Sequence, residues 1–460
     1  MGRMAGPQPT PGATPDDASS AISRDFAPVA ERERVVTLDM LRGLAVFGML
    51  LANVTIFGWP DGASAPVGAQ PSPGAQVLTL LRALLVEGKF FTLFSILFGV
   101  GLWVQGSRAE ARGARFAPTY VRRCLLLLGL GVAHALLLFE AEILALYALV
   151  ALAALPVRTV APRRLLQAAI ACYAVGTLTS AAYVIVSPEG TQPRGPDWAA
   201  LSTAPSASAD RAQRAWTTRL LPVRTVVRLA GIPDSALAPF MADELRVFAE
   251  GGYGEMVRHR TVSYLGVATP LRLAFTAWLV LGLFLLGAFL ARSGAFVDGG
   301  ADRSRYVLMA SRGLSVGLPL QGIGGAMAMA GGRGALAAAV VLSLAAIPAT
   351  SLGYAGLVAL WSRGGARGLL AGSLASVGRT ALTNYVGQSV VCGLLFYSFG
   401  LGLFGRLTGP QLAGVAVAVF ALEATVSMAW LRRFRLGPLE WAWRSLTYGR
   451  WQPLRRGGTV

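Results

Sequence analysis

Lysine is almost missing from this 460-residue chain: of 41 lysines and arginines, only Lys89 is a lysine. Charge of either sign is scarce as well, at 14% of residues. Soluble domains carry about 25%, so the two to four soluble domains that the length would allow are excluded. Cysteine is limited to Cys124, Cys172 and Cys392, far apart and inside apolar runs. That excludes a disulfide framework and a CxxC redox pair. With only His134 and His259 and no HExxH, no metal site is expected, and no Walker A loop or dinucleotide fingerprint is present. What is abundant is apolar: 54% of residues belong to the AVILMFWYC set, and the mean hydropathy is +0.56. The composition predicts an all-α polytopic membrane protein with about ten transmembrane helices, because only helices satisfy every backbone group within one segment in lipid.

The apolar runs place spans at 38–58, 76–105, 121–139, 142–158, 165–187, 268–291, 306–331, 335–361, 379–400 and 411–431. The second is long enough to divide into an interfacial piece, 76–88, and a shorter span. Residues 1–34 lack an apolar run and read as a disordered cytoplasmic tail. Residues 35–187 and 268–431 form two five-helix halves around an extracytoplasmic loop, 188–267, whose stretches 208–230 and 240–260 have helical patterning. Ala63-Ser64-Ala65 resembles a signal cleavage site. The long preceding tail, Asn53 within the run and Pro66 directly after the cut argue against cleavage.

Net charge is +18, which in a soluble protein would suggest nucleic acid. Here the arginines end apolar runs and read as topology anchors, so no nucleic acid is expected. Basic residues number five in 1–42, five in 106–123 and seven after 431, against none in 59–75 and one in 401–410. That bias places both termini in the cytoplasm of a bacterial-type inner membrane. The tail 432–460 interleaves Trp441, Trp443, Tyr448 and Trp451 with arginines, a composition suited to anionic inner-leaflet lipids.

Ionisable and amide groups inside lipid are costly, so each needs a reason. Asp39 and Arg42, three apart, share a face at the inner end of the first span. They form either a cap with an anchor or a site for an anionic group. Asn53 and His134 each lie about 16 Å beyond a boundary arginine by helical rise, an equal depth that would let them meet in one site. Glu142, in the tight turn after the third span, would orient the imidazole. Lys89, near an outer boundary, reads as a snorkelling cation. Thr380, Asn384 and Gln388 recur every four residues as one polar stripe, either a packed seam or the lining of a wet cavity. Glycines 322, 324, 325, 331 and 332 suit close helix packing.

These residues resemble the DUF418 (YeiB-like) family of membrane proteins over nearly the whole chain after residue 30. The resemblance rests in front on Leu38-Asp39-Met40-Leu41-Arg42-Gly43 and on Gly88-Lys89-Phe90 through Gly99. It rests in the middle on His134 and Ile143 to Ala148. Behind, it rests on Gly378-Arg379-Thr380-Ala381-Leu382-Thr383-Asn384-Tyr385, on Gly437-Pro438-Leu439-Glu440-Trp441 and on Leu446-Thr447-Tyr448-Gly449. The front half is also similar to the acyltransferase-3 and heparan-α-glucosaminide N-acetyltransferase families. That similarity implies acyl transfer from a cytosolic acyl-CoA, with no tightly bound cofactor, to a glycan or small-molecule acceptor at the bilayer. On it, Asp39, Arg42, Asn53 and His134 would be the matching positions; the full expectation is a catalytic set of His134, Asn53 and Glu142, with Asp39, Arg42, Arg379, Asn384 and Gln388 binding the donor. Relatives carry Gly-Asp-Ile-Leu where this chain has Ala141-Glu142-Ile143-Leu144, so the carboxylate here is one methylene longer. The alternatives are a transporter, in which the same polar groups would be a substrate or proton path, and a non-catalytic envelope protein.

The arginine bias generates a topology test. Cysteines introduced singly near residue 450 should resist impermeant thiol reagents in intact cells, and one in 188–267 should react. Labelling near 450 without permeabilisation would reverse the assignment.

Overall fold

The computed structural model describes residues 35–59, 73–113, 116–186, 244, 246–296, 303–366 and 368–456. The expected tail 1–34 and most of the 188–267 loop lie outside these residues. Every element among the described residues is helical, apart from one isolated bridge between Phe434 and Arg455. In chain order the helices are α1 (Val36–Gly58), α2 (Pro73–Leu85), α3 (Lys89–Ala111), α4 (Phe116–Leu137), α5 (Leu144–Ala154), α6 (Pro162–Val186) and α7 (Tyr253–Val262). They continue with α8 (Ala277–Arg292), α9 (Arg303–Ala330), α10 (Arg333–Arg363), α11 (Leu369–Arg379), α12 (Ala381–Phe396), α13 (Gly409–Arg433) and α14 (Pro438–Tyr448).

The protein is an all-α polytopic membrane protein. Seven helical segments are long and apolar enough to cross a bilayer, and α5 and α12 are shorter apolar helices. The long α9, the remaining segment of the expected ten, carries Arg303, Arg305 and Arg312 and falls outside that set of seven.

Local chemistry sets the breaks. Gly88, with φ +78°, takes the left-handed conformation that separates α2 from α3, where a division near 88 was expected. Thr408 and Gln411 form a capping box ahead of α13, with Pro410 in its first turn. Pro438 begins α14, and Gly449, with φ +66°, ends it. Two boundaries differ from expectation. Residues 253–267, assigned from sequence to the loop, are helical and run on to Arg292, through π-helical turns at Ser263–Ala268 and Arg272–Thr276. Pro270 lies between those turns; it lacks an N–H and crowds the preceding carbonyls, which accounts for the irregular ladder. Residues 369–379, taken for part of a connection, are helix α11.

Glycine allows the closest packing. A Cβ at Gly378 would overlap the Asp39 carbonyl, and one at Gly43 would overlap the Leu374 carbonyl. Helices α1 and α11 therefore meet backbone to backbone, and the front and rear sequence motifs interlock there. In the α9–α10 hairpin, a Cβ at Gly313 would lie 2.5 Å from the Ala349 carbonyl. Of the glycines singled out in that run, Gly324 is in tight contact, with Ser343. Gly322 and Gly325 face open space, and Gly331 and Gly332 make the turn at φ +78° and +81°.

Forcing a methyl into a close-packed contact costs roughly 1–3 kcal/mol. Gly378→Ala should therefore lower the thermal midpoint of the purified protein, while Gly322→Ala should leave it unchanged or slightly raised. Equal midpoints for the two variants would contradict the α1–α11 contact.

Candidate functional site

The α1–α11 contact sets Asp39, Arg42 and Arg379 on the wall of a cavity of about 280 Å³. The N-terminal part of α4, the C-terminal half of α3 and helix α14 complete the mouth with Arg123, Arg108 and Arg444. All five arginines are half-buried. The deeper wall is apolar, built from Phe94, Leu97, Phe98, Leu127 and Leu144, with Tyr385 of α12 at its end.

Positive charge is in excess here. Arg42 Nη1 donates to Asp39 Oδ1 at 2.9 Å. The other acid, Glu440, is engaged elsewhere: its Oε1 accepts from the backbone N–H of Leu382 (2.6 Å) and Thr383 (3.1 Å), and its Oε2 from the Thr383 hydroxyl (2.5 Å). It caps the start of α12, whose first N–H groups have no partner within the helix. The Arg123 guanidinium lies 3.7 Å from the centre of the Trp443 ring, and Trp443 Nε1 donates to the Arg123 carbonyl at 3.1 Å. Burial, and next the positive charge of Arg123, push the Arg444 guanidinium below its ordinary range. Cations held this close in a low-dielectric wall favour an anion among them.

The tail expected to lie on lipid is thus a docked element. It also closes back through the Arg435 N–H to the Leu454 carbonyl (2.8 Å) and through stacking of Trp441 on Trp451. Trp451 remains 77% exposed.

Two expected donor-binding residues stand apart from this cavity. Thr380, Asn384 and Gln388 are buried against α13: the Thr380 hydroxyl bonds Ser427, the Asn384 amide bonds Thr380 and Ser427, and Gln388 Nε2 donates to Glu423 Oε2 at 2.9 Å. The stripe is a packed polar seam, because Ser427 and Glu423 on the facing helix supply the partners that water would otherwise supply. Asn384 and Gln388, expected to bind the donor, lie in this seam.

The expected catalytic set is likewise redistributed. His134 is buried, and its Nε2 pairs with Ser389 Oγ at 2.9 Å, not with Asn53. Asn53 is half-buried on α1 and shares no hydrogen bond with the imidazole. Glu142 turns toward α5, accepting from the Leu144 and Ala145 N–H groups; it caps that helix and does not orient His134. The His134 ring packs 5.2 Å, centre to centre, from Tyr385. Tyr385 thus touches both the cavity and the imidazole, and His134 lies one ring behind the cavity floor. Lys89, expected to snorkel, is 2% exposed and donates to the Ala83 carbonyl near the end of α2.

Sequence reasoning missed Glu423, Arg123 and Arg444. Glu423 is the one acidic residue in Gly409–Arg433, and that was its signal. The role of the arginines depends on α14 folding back, which no local pattern shows.

A family model described as "Protein of unknown function (DUF418)" matches residues 290–450, which include Arg379, Tyr385, Glu440 and Arg444. The chain is 30% identical to the uncharacterized protein YxaH of Bacillus subtilis (strain 168), over 93% of this chain and 98% of that protein. It is 31% identical to the uncharacterized protein YeiB of Escherichia coli (strain K12), over 90% and 96%.

Leaving buried N–H groups without an acceptor costs about 1–3 kcal/mol. Glu440→Ala should therefore lower the thermal midpoint and fray the start of α12, with Glu440→Gln, which keeps an acceptor oxygen, falling between. Unfolding followed by tryptophan fluorescence checks this; an unchanged midpoint in Glu440→Ala would deny the capping role.

Proposed function

This chain belongs to the DUF418 family, and we propose that its arginine-lined cavity binds an acyl-CoA-type donor and that the protein transfers the acyl group to an acceptor at or across the bilayer. The observation that carries the reading is the cavity itself: five arginines at the mouth, two acids already engaged, and apolar walls beneath. Arginine forks match phosphate oxygens. A volume of 280 Å³ is small for a whole nucleotide-bearing donor. The acyl arm therefore enters along Phe94, Leu97 and Leu127, and the phosphates stop at Arg42, Arg123 and Arg444. On this reading the mouth opens to the cytoplasm; the basic residues at the helix ends, by the positive-inside pattern, support that orientation.

The reaction breaks the thioester C–S bond and forms a C–O or C–N bond to the acceptor. The acceptor's proton passes to His134 as general base, and then to the departing thiolate. Tyr385 separates the two halves, so its ring must swing aside for the imidazole to reach the carbonyl. A closed floor beneath a one-sided mouth also suits a carrier caught open to one side, which would move the same amphiphilic anion intact.

Release of free CoA thiol distinguishes the two. Purified protein given acyl-CoA should bind it with an affinity that falls as salt rises. Arg42→Gln and Arg444→Gln should each weaken binding about 10- to 100-fold, the worth of one or two charge-assisted hydrogen bonds. His134→Ala should abolish thiol release yet keep binding. Binding without thiol release, under any acceptor supplied, would favour the carrier; no binding at all would sink both.

A further inference from the structure

On the opposite side of Tyr385 and His134 from the arginine-lined mouth, a second cationic group is built into the protein. Arg260 of α7 is 1% exposed. Its Nη1 donates to the Leu137 carbonyl, at the end of α4, at 2.9 Å. Its Nε and Nη2 are buried and make no hydrogen bond of good geometry, although the Tyr397 hydroxyl is close enough to interact with the guanidinium. Those two nitrogens form the side edge of the guanidinium, whose parallel N–H bonds match the two oxygens of one carboxylate or phosphate. The Arg260 guanidinium carbon lies 5.0 Å from the Tyr397 ring centre and 5.3 Å from that of Phe248, so aromatic faces wall the group.

His134 lies one helical turn before Leu137, and the Arg260 charge acts on its imidazole. With Nε2 held by Ser389, His134 Nδ1 is also buried without a partner. Arg260 makes no ion pair with a carboxylate among the described residues; Glu142 is engaged by the start of α5, and Glu140 is the acid whose charge, like that of Arg260, acts on Tyr397. A buried cation whose bidentate edge lacks well-formed hydrogen bonds is costly, and an oxyanion joining it would lower that cost.

We infer that the Arg260 edge, with His134 Nδ1, is a binding site for a single oxyanion, a carboxylate or phosphate group carried by a ligand distinct from the one in the first cavity. The bond to Leu137 fixes the guanidinium to α4, the helix that carries His134. An acidic ligand seated there stands beside the imidazole on the face away from Ser389. The site does not depend on acyl transfer; if that reading holds, the oxyanion belongs to the acceptor.

The experiment follows the thermal midpoint of the purified full chain as sodium acetate or inorganic phosphate replaces chloride at constant ionic strength. A parallel series uses nanodiscs of phosphatidylcholine with and without phosphatidylglycerol. The wild type should show a saturable rise. In Arg260→Lys, which keeps the charge but lacks the fork, the half-saturating concentration should increase about tenfold or more, or the rise should vanish. A rise with the soluble anions identifies a soluble ligand's acid group; a rise confined to phosphatidylglycerol identifies a lipid headgroup. Should Arg260→Lys fail to fold, His134→Asn, which removes the second nitrogen, carries the same expectation. A rise undiminished in Arg260→Lys but lost in Arg444→Gln would assign the anion to the first cavity and overturn the inference. No rise in any series would overturn it as well.

Discussion

Backbone contact between α1 and α11 is the constraint on which the arginine-lined cavity depends. Gly43 and Gly378 let each helix rest on the other's carbonyls, Leu374 and Asp39 respectively. The same few residues that make the contact carry the charges, since Asp39 and Arg42 flank the Gly378 contact and Arg379 follows it. Shape and charge are therefore fixed together. Any widening of the helix pair would draw Arg379 away from Arg42. Glu440 ties that docking to the start of α12, so the rear motif holds itself to the front motif through one cap and two glycines.

Lipid makes satisfaction of polar groups the second organising rule. The seam from Thr380 through Asn384 and Gln388 to Ser427 and Glu423 obeys it almost completely. Lys89 obeys it through the Ala83 carbonyl, and Glu142 through two backbone N–H groups. Against that background the exceptions are informative. Buried atoms without a hydrogen-bond partner include Glu423 Oε1, Thr177 Oγ1, Gln321 Oε1, Arg272 Nη1, His134 Nδ1 and two nitrogens of Arg260. An unpaired polar atom in hydrocarbon is expensive, and Arg260 is tied to α4, the helix that carries His134, through the Leu137 carbonyl.

Much of this was legible in the sequence because it is local. Apolar run length placed the spans, arginine spacing placed their basic ends, and the three-residue interval from Asp39 to Arg42 gave their salt bridge. Resemblance of short motifs gave the family. What could not be read depends on contacts between distant segments. The stripe on α12 has the same four-residue spacing whether it faces water or Ser427, and only the facing helix decides. Equal depth allowed Asn53 and His134 to meet, but the rotation of each helix about its axis is set by packing. The imidazole turned to Ser389 instead. Glu142 was close enough in sequence to cap α5, and an unpaired helix start is a nearer claimant on a carboxylate than a histidine one turn away on another helix.

Tyr385 links these observations to function. Its ring closes the cavity on one side and packs on His134 on the other. It stands four residues before Ser389, so one face of α12 presents both the partition and the imidazole's partner. A shift of that single helix would alter the cavity floor and the His134 bond at once. The start of α12 is held by Glu440 on the element that carries Arg444, so the charged mouth and the helix that positions Tyr385 share one contact. The chain of contacts thus runs from the charged mouth, through the cap of α12, to the imidazole.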